Sequence, residues 1–460
     1  MSAIIALFIT GVLVLYLGVF GQRKVLLPIS ITGIFIAFSL VLFNVGLNLE
    51  IDNHMLVFDQ SSRIYSLLLL FIMGLVFLLS EKNMNYASKY KEDVYGLMIF
   101  STIGGLMLLS YANLVTLFLG IETLSIPLYV LVGSKKSDLK SNEAAMKYFI
   151  MGSFATCFLL LGMALIYGAV GSFDFREIAL QCYTDAGRVN SLFEMGILFL
   201  LFGMIFKVSA APFHFWTPDV YEGAPSIITV FMATVVKIAG FGALARLLRG
   251  GFPDSILFVN FLWIIAVLTM TVGNLGATQQ KSIKRLLAFS SIAHAGVMMI
   301  AVLAVSKASM TNVFIYLLAY SLATIILFTL FMHFADKKGL SDISSFNGLG
   351  KTNPFLAATS TLALLSLAGI PITAGFFGKY YIFYNAINQG YIWLVILGLL
   401  NSAIAIYYYL GIIIAMYFKE PVEMKSETDD LPFLHKLVIA GCALAIIIIG
   451  IYPNRLMMLF

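Results

Sequence analysis

The sequence predicts an all-α integral membrane protein with about 14 transmembrane helices, and three observations carry that prediction. Of 460 residues, 61% are hydrophobic and 11% charged, whereas soluble domains hold about 45–50% apolar and about 25% charged residues; the mean hydropathy is +0.97. Apolar stretches of the roughly 20 residues needed to cross about 30 Å of hydrocarbon recur from end to end. The basic residues between those stretches are unevenly divided between the two sides of the membrane.

In order, the spans fall near 2–21, 25–48, 62–80, 94–109, 112–133, 144–170, 192–213, 224–248, 255–275, 284–304, 310–334, 354–386, 391–418 and 433–453. No Lys or Arg precedes Arg23, so the first span reads as a permanent helix, without the basic start of a cleavable signal. The seventh span runs into Pro212, Pro218 and Pro225, and the twelfth contains Gly369, Pro371, Gly375 and Gly378. Proline removes a helical hydrogen bond and glycine relaxes the backbone, so both spans are expected to be broken. Unwound backbone at membrane depth is tolerated where it is buried or lines water, and two such breaks at corresponding places in two halves point to an ion path.

Fourteen spans put both termini and all even-numbered loops on one side. The odd-numbered loops hold 17 Lys and Arg against 7 on the terminal side, so the odd loops should face the cytoplasm and both termini the periplasm or its equivalent. The formal charge of +5 is therefore a topology signal, with no nucleic-acid partner implied; the implied surroundings are membrane lipid. Cys157, Cys182 and Cys442 show no paired spacing, which indicates neither a disulfide framework nor a metal site; they are expected to pack. Gly240, Gly242 and Ala245 match a dinucleotide-binding pattern by letter, but they lie inside a span and follow no strand. The longest loop is about 20 residues, too short for a catalytic domain, so the chain should bind no cofactor and any driving redox chemistry belongs to a partner.

Four basic residues remain inside spans: Lys147, Lys207, Lys237 and Lys379; among the acids, Glu122 alone lies deep in one. An ionisable group at the centre of a membrane helix opposes insertion by about 2.5–3.5 kcal/mol, so the five together oppose it by roughly 12–18 kcal/mol. Lys147 is close enough to the start of its span to snorkel to the interface; the others are too deep. Burial disfavours a charged lysine and a nearby carboxylate restores it, so moving one charge can switch a lysine between neutral and protonated forms. That is a proton carrier, and Glu122 with Lys207 is its simplest unit, although their proximity is a matter of packing. His294, about a dozen residues into its span, can bridge lysines or simply pack. His214 sits at the mouth of the first break as an access or interfacial residue; His54, His333 and His435 lie at span ends.

The run FKVSAAPFHFWTPDVYEGAPS closely resembles the signature of the antiporter-like subunits of respiratory complex I, and KSIKRLLAFSSIAHAGV and SLAGIPITAGFFGKYYIF are similar to two further motifs of that family. LFLGIETLSIPLYVLVG and NEAAMKYF resemble the segments carrying the family's fifth-helix glutamate and sixth-helix lysine. The lysine in GFFGKYY points to the N-type branch, since M-type members usually carry glutamate there, and no long lateral helix of the L-type follows the fourteenth span.

The resemblance implies two inverted five-helix repeats, spans 4–8 and 9–13. It implies an N-terminal three-helix segment (1–93), a first repeat (94–250), a second repeat (251–420) and a C-terminal helix (421–460). It also implies proton translocation coupled to NADH-to-quinone electron transfer, with NADH, FMN, iron–sulfur clusters and quinone in partner subunits. M-type and K/J-type membrane-arm subunits are the implied neighbours, in a bacterial inner membrane. Glu122 and Lys207 correspond to the charged pair of the first half-channel, Lys237 to the connecting lysine and Lys379 to the second half-channel; Lys147 and His294 fall on the family's polar axis. A multisubunit cation/proton antiporter resembles the same family and is the first rival; a non-pumping bridging subunit is the second.

Overall fold

The computed structural model describes residues 1–45, 55–84, 90–182, 189–249, 256–304, 309–338, 342–421, 431–453 and 456. His54, Lys89, Arg188, Lys307, Lys425 and Arg455 lie outside them. Among the described residues, twelve helices are long and apolar enough to cross a membrane, and the two expected spans missing from that set are the two read as broken.

The N-terminal segment is α1 (Ser2–Val19), α2 (Leu26–Leu42) and α3 (Gln60–Asn83). Asp59 starts α3 by accepting from the Ser62 amide, an N-cap bond. The first repeat follows: α4 (Lys91–Ser110), α5 (Leu114–Val132), α6 (Leu139–Val170), a short α7 (Phe175–Gln181), the broken span α8 (Ser191–Lys207) with α9 (Trp216–Gly223), then α10 (Ser226–Phe231) and α11 (Lys237–Arg249) joined by a π-helical turn over Met232–Val236. Asn113, Asp138, Asp174 and Asn190 cap α5, α6, α7 and α8 through their side chains.

The second repeat is α12 (Ile256–Thr278), α13 (Ile283–Leu303), α14 (Ser309–Lys338), a short α15 (Leu349–Thr352), the broken span α16 (Pro354–Ala368) with α17 (Ala374–Asn388), and α18 (Ile392–Phe418); α19 (Phe433–Ile451) closes the chain. The first break opens where α8 ends at Lys207, ahead of Pro212; the second runs from Gly369, at φ +83°, through Pro371.

Two details relate the repeats. An isolated antiparallel bridge joins Asn113, before α5, to Asp174, after α6; an equivalent one joins Ser282, before α13, to Asp342, after α14. The offset is five spans, an odd number, which puts the two bridges on opposite membrane faces and inverts the second repeat. The close helix pair also recurs: a Cβ on Gly104 of α4 would lie 2.3 Å from the Leu124 nitrogen of α5, and one on Gly273 of α12 would lie 2.3 Å from the Ala293 nitrogen of α13. Small residues let backbones meet where lipid leaves packing to drive association.

Burial separates a core from a rim. In the most apolar 18-residue window, Ser226–Leu248 is 100% buried and α13 and α14 are each 94% buried, against 33% for α1 and α6. The central helices therefore carry the side chains that cannot face lipid. Gly240, Gly242 and Ala245 are all buried within α11, a membrane helix as the sequence required. Cys182 and Cys442 are buried, but Cys157 is exposed on the outer face of α6, so the expectation that all three pack holds for two.

Candidate proton-conducting site

In α5, Glu122, Ser125 and Tyr129 recur at spacings of three and four and so share one face. Lys207, the last residue of α8 and 6% exposed, reaches that face. Its Nζ donates to Ser125 Oγ at 2.7 Å and Tyr129 Oη at 3.2 Å, and it lies 5.5 Å from the Tyr129 and Phe206 ring centres. Glu122 is half-buried and accepts from Thr156 Oγ1 of α6 at 2.7 Å. The two charges share one helix face, yet no ion pair joins them among the described residues. Ser125 and Tyr129 take the place beside Lys207 that the sequence suggested for Glu122. Beyond Lys207 stand rings: Tyr129 meets Tyr148 edge-on, Tyr148 stacks on Trp216, and Trp216 Nε1 donates to the Phe206 carbonyl.

Lys237 begins α11 directly after the π-helical turn, a distortion frequent at functional sites. It is 1% exposed; its Nζ donates to the Ser291 carbonyl at 2.5 Å and lies 5.5 Å from the Tyr320 ring centre. One turn along α13 from Ser291 is His294, whose Nδ1 is 2.6 Å from Tyr316 Oη and whose Nε2 is 2.9 Å from Tyr409 Oη. Tyr409 is in turn 2.5 Å from Ser290 Oγ. A neutral imidazole donates from one nitrogen and accepts at the other, so the string Tyr316, His294, Tyr409, Ser290 can run in either direction.

Lys379 lies on α17, and its Nζ folds back to the Leu367 and Ala368 carbonyls at 3.0 Å each. Those carbonyls end α16, where the break leaves them without helical partners and the helix dipole favours a cation. Gly369 makes the approach possible, since a Cβ there would lie 3.0 Å from Lys379 Cδ and 3.2 Å from Nζ. Gly378 packs against Tyr316, and His294, Tyr316, Tyr320, Ser366 and Leu367 line one small cleft. The structure thus gathers Lys237, His294 and the cradle of Lys379 around α13, α14 and α16.

Lys147 sits apart from these groups. Its side chain is 43% exposed and pairs with Glu143 and Asp219, each at 2.7 Å. Arg285 bonds Asp219 at 2.8 Å and Glu222 at 2.9 Å, and Lys140 bonds Glu222 at 3.0 Å. These alternating charges surround a cavity of about 150 Å³ and tie α6 and α9 of the first repeat to α13 of the second. Burial raises the Asp219 and Glu222 carboxyls, but hydrogen bonds from Lys147 and Arg285 to the first, and from Arg285 and Lys140 to the second, outweigh it and hold both below their usual range.

Sequence reasoning missed Lys284, which stands at the first position of the span near 284–304 and counts with the loop charges. It is 8% exposed and caps α9, donating to the Ala224 carbonyl at 2.8 Å. It also missed the hydroxyls of Ser125, Tyr129, Tyr316 and Tyr409; their spacing from Glu122 and from one another was the available signal. His214 is buried in the first break against Phe215. No group of three or more His, Cys, Asp or Glu placed to hold a metal exists among the described residues.

The chain matches the family model described as NADH:quinone oxidoreductase/Mrp antiporter, TM, over residues 111–405. It is 42% identical to NADH-quinone oxidoreductase subunit N of Cytophaga hutchinsonii, with 99% of each chain covered, and 38% identical to the subunit N of Flavobacterium psychrophilum, again over 99% of each. Among solved structures it superposes on a chain of respiratory complex I from Thermus thermophilus with a TM-score of 0.84 and 32% identity, covering 99% of this chain and 98% of that one. A chain of the Mrp complex from Dietzia shares the fold, with a TM-score of 0.83, 18% identity, and 100% and 96% covered.

Proposed function

This chain belongs to the NADH:quinone oxidoreductase/Mrp antiporter membrane family, in its subunit N branch, and from that premise we propose that it carries protons along Glu122, Lys207, Lys237, His294 and Lys379 in the membrane arm of a complex I-type enzyme. One observation carries the proposal: the ammonium groups of Lys207, Lys237 and Lys379 are held by hydroxyl and carbonyl oxygens, with no carboxylate paired to any of them among the described residues. Breaking a buried ion pair strands a charge and costs several kcal/mol. A buried lysine held by neutral acceptors can give up its proton without stranding one. Lys140, Lys147 and Arg285, each paired to acids, are built to stay charged, so Lys147 serves the surface cluster that holds α9 to α6.

In this reading, electron transfer from NADH to quinone, with FMN and iron–sulfur clusters in partner subunits, moves a charge near the half-buried Glu122. When Glu122 swings to about 4 Å from Lys207, the ammonium gains about 4 kcal/mol at an effective dielectric of about 20, roughly a thousandfold in protonation. When it returns to Thr156, that support is withdrawn and the proton moves on through Lys237 and His294 to Lys379. Release lies on the terminal side, taken as periplasmic from the basic loops, in a bacterial plasma membrane. K/J-type and M-type subunits flank the chain, and Glu122, exposed in part at membrane depth, marks one face such a neighbour must cover. The division at 93/94, 250/251 and 420/421 is supported by the repeated bridge and glycine contact. The cation/proton antiporter reading shares the fold, and the subunit N relatives favour the redox-linked one.

Lys237→Met keeps the packing volume and removes the ammonium. At matched levels of assembled complex, NADH-driven proton uptake into inverted vesicles should be lost; uptake equal to wild type contradicts the relay.

A further inference from the structure

Trp216, the first residue of α9 and 2% exposed, is tied both to the backbone that carries Lys207 and to a hydroxyl that accepts its hydrogen bond. On one side, Trp216 Nε1 donates to the Phe206 carbonyl at 3.1 Å. The peptide unit is planar, so holding that carbonyl also holds the amide nitrogen of Lys207. On the other side the indole stacks on Tyr148 of α6, with ring centres 4.7 Å apart and planes at 23°. Tyr148 meets Tyr129 edge-on at 4.9 Å, and Tyr129 Oη accepts from Lys207 Nζ at 3.2 Å. The Phe206 ring lies 5.4 Å from the indole and 5.5 Å from that Nζ, so the contacts close on themselves around the ammonium. The far end of α9 is fixed as well: Asp219 and Glu222, three and six residues on, are held by Lys147 and Lys140 of α6 and by Arg285 of α13. Trp216 is therefore mounted on a helix pinned at the surface.

A buried indole fills space and needs a partner for its N–H whatever its role, and the second break supplies an internal control. Lys207 lies five residues before Pro212 and Trp216 four residues after it; Ser366 lies five residues before Pro371 and Gly375 four residues after it. There the two half-helices meet by backbone. The Gly375 amide donates to Ser366 Oγ at 3.1 Å, and a Cβ on Gly375 would collide with the Ser366 carbonyl oxygen. The second repeat carries its lysine on α17 instead, held by backbone carbonyls. The fold thus closes this crossing without an aromatic ring where the first half-helix has no lysine, and the indole accompanies the lysine.

We propose that Trp216 is a positioning residue for Lys207: it holds the end of α8 and the Tyr129 ring in the register at which the ammonium meets Ser125 and Tyr129. The inference rests on the relay reading of Lys207. A hydrogen bond weakens steeply once its angle is lost, so freeing the Phe206 carbonyl misaligns Nζ with both hydroxyls. Trp216→Phe keeps a ring against Tyr148 and removes the N–H. In inverted vesicles carrying the whole assembled complex, NADH-driven proton uptake per assembled complex should fall about fivefold, the weight of one buried hydrogen bond. The diagnostic readout is coupling to the acceptors. With Ser125→Ala and Tyr129→Phe in place, Lys207 has neither hydroxyl to be aimed at, and adding Trp216→Phe should change uptake by less than about twofold. A purely structural role multiplies the two losses instead. That result, or wild-type uptake in Trp216→Phe alone, overturns the positioning role. Where Trp216→Phe assembles too poorly to measure, Tyr148→Leu, which removes the ring between Trp216 and Tyr129, is read in the same way. Lys207→Ala separates the two readings: wild-type uptake in that variant removes the relay itself, whereas loss there with multiplied losses in the triple variant removes only the positioning role.

Discussion

Replacing Ser125 with alanine and Tyr129 with phenylalanine together takes from Lys207 both of its hydrogen-bond acceptors, at 2.7 and 3.2 Å, and leaves the packing nearly intact. Tyr129 keeps its edge-on contacts with Tyr148 and Phe149, and the serine loses one oxygen. A hydrogen bond to a charged group is worth about 1.5–3 kcal/mol, so the pair stabilises a protonated Lys207 by about 3–6 kcal/mol. Its removal shifts the protonation balance by roughly two to four powers of ten, since 1.36 kcal/mol is tenfold. The assay is NADH-driven acidification of inverted vesicles beside quinone reduction with the gradient collapsed, at matched amounts of assembled complex. Acidification should fall at least tenfold in the double variant, with each single variant in between. Acidification at the wild-type rate in the double variant refutes the idea that neutral acceptors set the charge of Lys207.

Arg246 binds Asp59 through Nη1 at 3.0 and 3.1 Å and the Tyr111 and Val57 carbonyls at 2.7 and 3.2 Å, so Arg246→Ala should destabilise the solubilised protein by about 2–4 kcal/mol. A lowered melting temperature checks this, and lysine, which lacks the guanidinium fork, should not restore it. Asp219 and Glu222 have carboxyls held below their ordinary range. Their contribution is therefore fully present above the ordinary carboxylate value and is lost as pH falls through the lowered one; a pH series of melting curves should stay flat through neutrality and drop below about pH 4. In Asp219→Asn the acid drop should shrink. Gly369→Ala places a methyl group 3.0 Å from Lys379 Cδ at φ +83°, a backbone conformation costing roughly 1 kcal/mol for alanine. Proton uptake should fall more than assembly does, as native-gel band intensity and acidification measured together will show.

Which parts were legible in the sequence follows from what lipid forbids. Lys207, Lys237 and Lys379 could be picked out because a charge in an apolar run has no bland explanation, and the two breaks because Pro212 and Gly369 with Pro371 disrupt helices wherever they occur. The separation of Glu122 from Lys207 could not be read, because it depends on how α5, α6 and α8 cross. Lys147 stood near the start of its span, where a lysine can reach the interface, and its side chain is 43% exposed; that it pairs there with Asp219 of α9 depends on packing between helices that one span does not show. Lys284 showed the opposite: a position beside a loop hid a side chain that turns inward to the end of α9. The hydroxyls of Tyr316 and Tyr409 carry no charge, so hydropathy let them pass as ordinary helix residues.

The measurement that bears most directly on the central claim compares wild type, Lys207→Ala and Lys379→Ala in inverted vesicles at equal assembled-complex levels, reading NADH-driven quinone reduction and ΔpH together. A relay through both breaks predicts that each variant loses the gradient and slows coupled turnover. Turnover and gradient equal to wild type in both variants would contradict it and leave a bridging subunit as the better account.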